Sequence, residues 1–132
     1  MSQLNYKEST VARARRVVIK VGSAVLSDVE GLCVDVIEQL ATQIESAVRA
    51  GYEVVIVTSG AVAAGRARLS KLHGATIAAR QAAAATGQIE LMSAWARAFA
   101  VHDRTVAQIL LTHQDLAERR RRLNANQTIA QL

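Results

Sequence analysis

Two continuous runs of mostly β-branched residues, Arg16-Val17-Val18-Ile19-Lys20-Val21-Gly22 and Val54-Val55-Ile56-Val57-Thr58, bracket a segment with helical periodicity. Runs this short and this apolar predict buried strands. Between them, from about Asp35 to Ala50, Val36, Ile37, Leu40, Ile44, Ala47 and Val48 recur at helical spacing, with Glu38, Gln39, Gln43 and Glu45 on other faces. Gly51 then stands where a C-terminal cap belongs. Strand, helix and strand joined by short connections form a βαβ unit, so the two strands should lie parallel.

The rest of the chain extends this layout. Ser59-Gly60-Ala61-Val62-Ala63-Ala64-Gly65 leaves the second strand as a tight turn into a helix whose small residues suit close packing. A long helix is expected from about Ala75 to Ala100, with Ile77, Ala84, Ile89, Met92, Trp95 and Phe99 among its apolar positions and Gly87 marking a break or a close contact. Arg104 to Leu111 reads as a third strand, Asp115 to Arg122 as a helix, and Asn124 as the cap of one more. Aromatic residues make up only 3% of the chain, so its core must be built from Val, Ile, Leu and Ala. Proline is absent, which leaves Gly, Asp, Asn and Ser to set the segment ends. The order β, α, β, α, α, β, α, α is an open α/β layout. Residues 1–15 read as a flexible leader, and 16–132 as one part of a domain, because Ile129-Ala130-Gln131-Leu132 carries no stop signal for its helical pattern.

Charge and cysteine usage narrow the partners. The net charge is +5, part of it in two clusters, Arg13 to Arg16 and Arg119 to Arg122. Neither cluster carries the interleaved aromatics on which single-stranded nucleic acid stacks, so solvated or interface roles are expected and nucleic acid is not. The single cysteine, Cys33, reads as buried or inert and fits a reducing compartment. His73, His102 and His113 lack metal-binding spacing, so no protein-held metal is expected. No window approaches a membrane span and no signal peptide opens the chain, which points to a cytoplasmic protein.

Open α/β sheets bind ligands beyond the carboxyl ends of their strands. Two such ends are unusual here: Lys20-Val21-Gly22-Ser23 and Thr58-Ser59-Gly60-Ala61. Small residues there let backbone N–H groups approach an anion, and a following helix N-terminus adds partial positive charge. Lys20 either snorkels from a strand end or holds a fixed charge for a phosphate. Ser59 suits a helix N-cap, an anion-binding loop, or both. The spacing excludes a Walker A loop, a GxGxxG dinucleotide turn and a GxSxG nucleophile elbow.

Together these segments resemble the amino acid kinase family. Val18-Ile19-Lys20-Val21-Gly22-Ser23 looks like its first-strand signature. Val55 to Gly65 resembles the second motif in the form found in glutamate 5-kinases. Gln81 through Trp95, with Ala85-Thr86-Gly87-Gln88, agrees with that form, as do Gln108-Ile109-Leu110-Leu111-Thr112 and Leu123-Asn124-Ala125-Asn126, although Asn126 stands where the family pattern has Arg. The resemblance implies an αβα sandwich with a mainly parallel sheet, here its N-terminal part. It also implies transfer of the ATP γ-phosphoryl group to the side-chain carboxylate of L-glutamate, on the route to proline. Lys20 would then be catalytic and contact the ATP phosphates together with Gly22 and Ser23. Ser59, Gly60 and Ala61 would hold glutamate. Mg2+ would bind with the nucleotide, and a homo-oligomer is implied. A nucleotide-binding half with a second lysine belongs to the family pattern and is not found in these 132 residues, so the chain is expected to be inactive alone. Acetylglutamate or aspartate kinases, and a non-catalytic assembly module, are the competing readings.

Overall fold

The computed structural model describes residues 13–29, 31–69 and 76–132. Most of the expected leader, His73 and Ala75 lie outside them. Strand β1 (Arg16–Val21) leads through the short helix α1 (Ser23–Leu26) to α2 (Val34–Arg49), then to β2 (Glu53–Thr58). Helices α3 (Ala61–Arg68), α4 (Ile77–Ala100), α5 (His113–Ala117) and α6 (Arg119–Gln131) follow. The fold class is α/β with a parallel sheet, as expected: β1 pairs with β2 in a register that places Arg16 beside Glu53 and Val21 beside Thr58.

That register sorts the side chains by face. Ile19 and Val21 on β1, and Val54 and Ile56 on β2, pack into one core with Leu26, Ile37, Ala41, Ile44, Leu91, Ala94, Trp95, Ala98 and Phe99. Helices α2 and α4 therefore cover this face of the sheet. The alternate residues point the other way, where Val18 is 63% and Val57 50% exposed, so the strands are not buried on both faces among the described residues. Their continuous apolar composition is a parallel-sheet signature, and it says nothing about which face is covered first.

Helix α2 spans nearly the predicted range, and its end has a clear cause. The Gly51 N–H bonds to the Val48 carbonyl at 3.0 Å, and the Tyr52 N–H to the Ala47 carbonyl at 3.2 Å. This paired pattern needs a left-handed residue after the helix, and Gly51 supplies it at φ +93°. Glu45, which the helical spacing sets off the apolar stripe, is nevertheless buried. It is 3% exposed, with the Arg104 Nε 2.9 Å from its Oε2 and the Arg49 Nε 2.8 Å from its Oε1. A carboxylate can sit there because two guanidinium groups replace its water.

Gly87 is a close contact and not a break. Helix α4 runs unbroken through it, and the Gly65 position of α3 lies against the Ala83 backbone, whose Cα is 2.9 Å from where a Cβ would stand. A Cβ on Gly87 would in turn overlap the Ala61 carbonyl and the Gly65 nitrogen. Ala61 and Gly65, and Ala83 and Gly87, each lie four residues apart, so each pair forms one flat ridge along its helix. The Arg68 guanidinium fixes the same pair of helices through a fork onto Glu90, at 2.9 and 3.0 Å. The buried stripe of α4 is thus Ala83, Gly87, Leu91, Ala94, Trp95, Ala98 and Phe99, which leaves the apolar Ile77 and Ile89 exposed.

The C-terminal region differs most from the sequence reading. Residues 104–112 form no strand, although Val106 packs on the core. A strand requires a ladder partner, and the described sheet holds only β1 and β2. The predicted helix from Asp115 divides at Glu118 into α5 and α6. Thr112 and Asp115 cap α5 reciprocally: the Asp115 N–H donates to Thr112 Oγ1 at 3.3 Å, and the Thr112 N–H to Asp115 Oδ2 at 2.7 Å. Asn124 lies inside α6 and caps nothing; Glu118 takes the capping position. Neither α5 nor α6 buries a residue, so the Arg119 to Arg122 cluster lies on a solvated helix.

Candidate functional site

Parallel pairing brings the two small-residue turns to one rim. Val21 and Thr58 are register partners at the strand ends, and the Ser59 N–H continues the ladder onto the Val21 carbonyl at 3.0 Å. Gly22 and Ser23 leave β1 beside Ser59 and Gly60 leaving β2. Ser59 is not the helix cap: α3 begins at Ala61, and Gly60 precedes it at φ +118°, ψ −13°, with no side-chain cap bond. This left-handed step turns the chain sharply from strand to helix and requires glycine. It leaves the Ser59 side chain exposed.

Trp95 supports this turn from below. Its Nε1–H donates to Thr58 Oγ1 at 3.2 Å, and the Thr58 hydroxyl donates to the Ser59 carbonyl at 3.2 Å. The indole is 3% exposed and stacks on Phe99 with ring centroids 6.0 Å apart. Of Met92, Trp95 and Phe99, whose helical spacing suggests core positions, Trp95 and Phe99 are buried in the core and Met92 is only half-buried; the Trp95 polar edge also holds the rim. Trp95→Phe keeps the apolar body and removes the donor. We expect it to cost about 1 kcal/mol in urea denaturation, the value of one buried hydrogen bond.

A cleft of about 1000 Å³ opens at the rim, lined by Ser23 and Asp28 on one side, Ser59, Gly60 and Ala61 at the strand end, and helices α3 and α4 beyond. Of the sequence-predicted residues, Ser23, Ser59, Gly60 and Ala61 line it, whereas Lys20 and Gly22 do not. Lys20 stands beside Val57 on the open face of the sheet, one residue short of the rim. It is exposed and forms no ion pair among the described residues. Gly22 faces open space among the described residues, with no heavy atom beyond its chain neighbours within 4 Å of where a Cβ would be.

Three charged residues of the cleft were not anticipated: Arg66 on α3, Arg80 on α4, and Asp28. Asp28 is tied to the loop before α2, where it accepts a contact from Cys33 Sγ at 3.5 Å. Burial pushes the Cys33 thiol up, and the hydrogen bond to the neighbouring Asp28 carboxylate adds to that, which disfavours the thiolate. No group of three or more His, Cys, Asp or Glu among the described residues could hold a metal ion. No helix among them is long and apolar enough to cross a membrane.

The amino acid kinase family model matches residues 15–132. The chain belongs to the amino acid kinase family. Its curated relatives include the glutamate 5-kinase of Syntrophotalea carbinolica, 48% identical over 127 residues, which are 96% of this chain and 34% of that protein. The glutamate 5-kinase of Desulfotalea psychrophila is 48% identical over 91% of this chain and 32% of its own length. That of Xanthomonas campestris is 53% identical over 86% of this chain and 32% of its own. The chain spans about a third of the length of these family members.

Proposed function

We propose that this chain forms the acceptor side of a glutamate 5-kinase, a cytoplasmic phosphotransferase that converts L-glutamate and ATP to L-glutamyl 5-phosphate and ADP in proline biosynthesis. The observation that supports it most is the meeting of the Gly22-Ser23 and Ser59-Gly60-Ala61 turns at one sheet rim, beside a family match that covers both.

In this reading Ser59, Gly60 and Ala61 hold glutamate. The Ser59 hydroxyl and the first free N–H groups of α3 offer donors to a carboxylate, and the turn is preset by Gly60 and by the Trp95–Thr58–Ser59 relay. Lys20, Gly22 and Ser23 face the nucleotide. They fit a polyphosphate: Lys20 is an unpaired exposed cation among the described residues, and open space at Gly22 lets a bulky anion reach the backbone. ATP, bound with Mg2+, supplies the phosphoryl group; a glutamate carboxylate oxygen bonds to the γ-phosphorus as its bond to the bridging oxygen breaks, releasing ADP. Lys20 neutralises oxygens that gain charge during that transfer.

Transfer in line needs charge and positioning on both sides of the reacting atoms. The expected result of a coupled ADP-release assay on the 132-residue chain alone is therefore no turnover, and clear turnover would refute this division of labour. Glutamate binding tests the acceptor assignment separately. Trp95, the only tryptophan, reports on the rim, and L-glutamate is expected to change its fluorescence in the wild-type chain and to bind Ser59→Ala about tenfold more weakly. A homo-oligomer is part of the proposal, supported by Leu110, Leu116 and Leu123 being exposed on the C-terminal region. Light scattering on the eluted chain checks it, with a monomeric mass as the contrary result.

A further inference from the structure

The cleft holds two positive side chains that the proposed roles of Lys20 and Ser59 leave unused. Arg66 stands in the second turn of α3 and Arg80 in the first turn of α4. Both line the cleft, both are exposed, and neither makes an ion pair among the described residues. Arg68, two residues further along α3, is by contrast committed to Glu90. Gly65, next to Arg66, lies against the backbone of Ala83, three residues after Arg80, so the close packing of α3 on α4 sets both arginines on the lining of one cleft. Among the described residues Asp28 is the only carboxylate on that lining, against the two arginines.

The spacing along α3 says what such a wall can hold. Ala61 starts the helix at the Ser59-Gly60 turn, and Arg66 lies five residues on, about 7.5 Å along the axis. Helical side chains lean back towards the N-terminus, which shortens that span. A ligand with one anionic group at the turn and a second a few bonds away could reach both. Guanidinium favours a planar carboxylate as the second group, because its N–H fork matches two oxygens.

We propose that Arg66 and Arg80 form a guanidinium pair that anchors the second carboxylate of a short dicarboxylate ligand, the α-carboxylate when that ligand is L-glutamate. This rests on the acceptor reading above and extends it. The pair sets specificity: it selects acids with a free carboxylate at the far end and excludes substrates in which that carboxylate is amidated.

Titration of L-glutamate, glutarate and inorganic phosphate into the 132-residue chain tests this, read by calorimetry and by Trp95 fluorescence. The wild-type chain is expected to bind L-glutamate and glutarate, more weakly as salt is raised. Arg66→Gln and Arg80→Gln should each weaken both ligands about tenfold, while Arg66→Lys and Arg80→Lys keep part of the affinity. Arg120→Gln, on α6, should change nothing. Circular dichroism and thermal melts confirm that the variants fold, which their exposure favours. If the Arg66→Gln/Arg80→Gln double variant binds L-glutamate as tightly as wild type, the guanidinium pair is refuted and the glutamate reading stands. If glutarate binds in an arginine-dependent way and L-glutamate does not bind, the pair is upheld and glutamate falls as substrate. Tighter binding of phosphate than of glutarate overturns the carboxylate assignment, and no anion binding at all overturns the pair.

Discussion

Gly87→Ala is expected to destabilise the chain by about 3 kcal/mol or more, at the upper end of what overpacking costs. The added methyl would overlap backbone atoms, the Ala61 carbonyl oxygen and the Gly65 nitrogen, and backbone cannot swing aside as a flexible side chain can. Helices α3 and α4 would have to separate. Since α3 starts at the Ser59-Gly60 turn, the separation would also move the rim. The change is measured by urea denaturation, where a domain of ordinary stability would lose a large part of its folding free energy. Gly22→Ala is the matching control. Its Cβ meets open space and its backbone, at φ −77° and ψ 158°, suits any residue, so a shift within about 0.5 kcal/mol is expected. Equal losses in the two variants would refute the close-packed crossing.

The second large effect is in acid. Hydrogen bonds from Arg104, then from Arg49, hold the Glu45 carboxyl down at about 2, against an ordinary 4.5. The folded-state value is the lower one, so the ionised carboxylate stabilises the fold. That contribution is present in full above pH 4.5 and is lost as pH falls through about 2. Wild-type stability should therefore decline across this window. Glu45→Gln should be less stable than wild type at pH 7, where two guanidinium groups lose their shared partner, and should decline less steeply below pH 4.5. Denaturation midpoints measured from pH 7 to pH 2 check both statements. Parallel curves for the two proteins would remove Glu45 as the acid-sensitive group. Arg104 joins α2 to the chain just after α4, so a failure of this contact loosens the packing of the two helices that cover the sheet.

Local pattern carried far in this chain. The two apolar runs, the helical period between them and Gly51 were enough for a parallel βαβ unit, because a short right-handed crossover leaves two strands few other options. The same pairing requires both strand ends to share a rim, so the meeting of Ser23 and Ser59 was legible as well. Less legible were features that depend on which surfaces touch. Residues 104–111 have strand composition but no ladder partner, and Ile77 and Ile89 have core composition but face solvent.

Tertiary contact alone decided the rest. The sequence places Lys20 at the end of a strand but cannot say which face it takes, since period-two alternation is hidden when every neighbour is apolar. Glu45 lies off the apolar stripe of its helix in the sequence, and only Arg104, 59 positions away, lets its carboxylate be buried. Arg66 and Arg80 are ordinary surface arginines in the sequence; only the packing of α3 on α4 brings both to the lining of one cleft. In each case chain connectivity fixes the element, whereas burial and charge partners are set by residues distant in sequence, which no local period encodes.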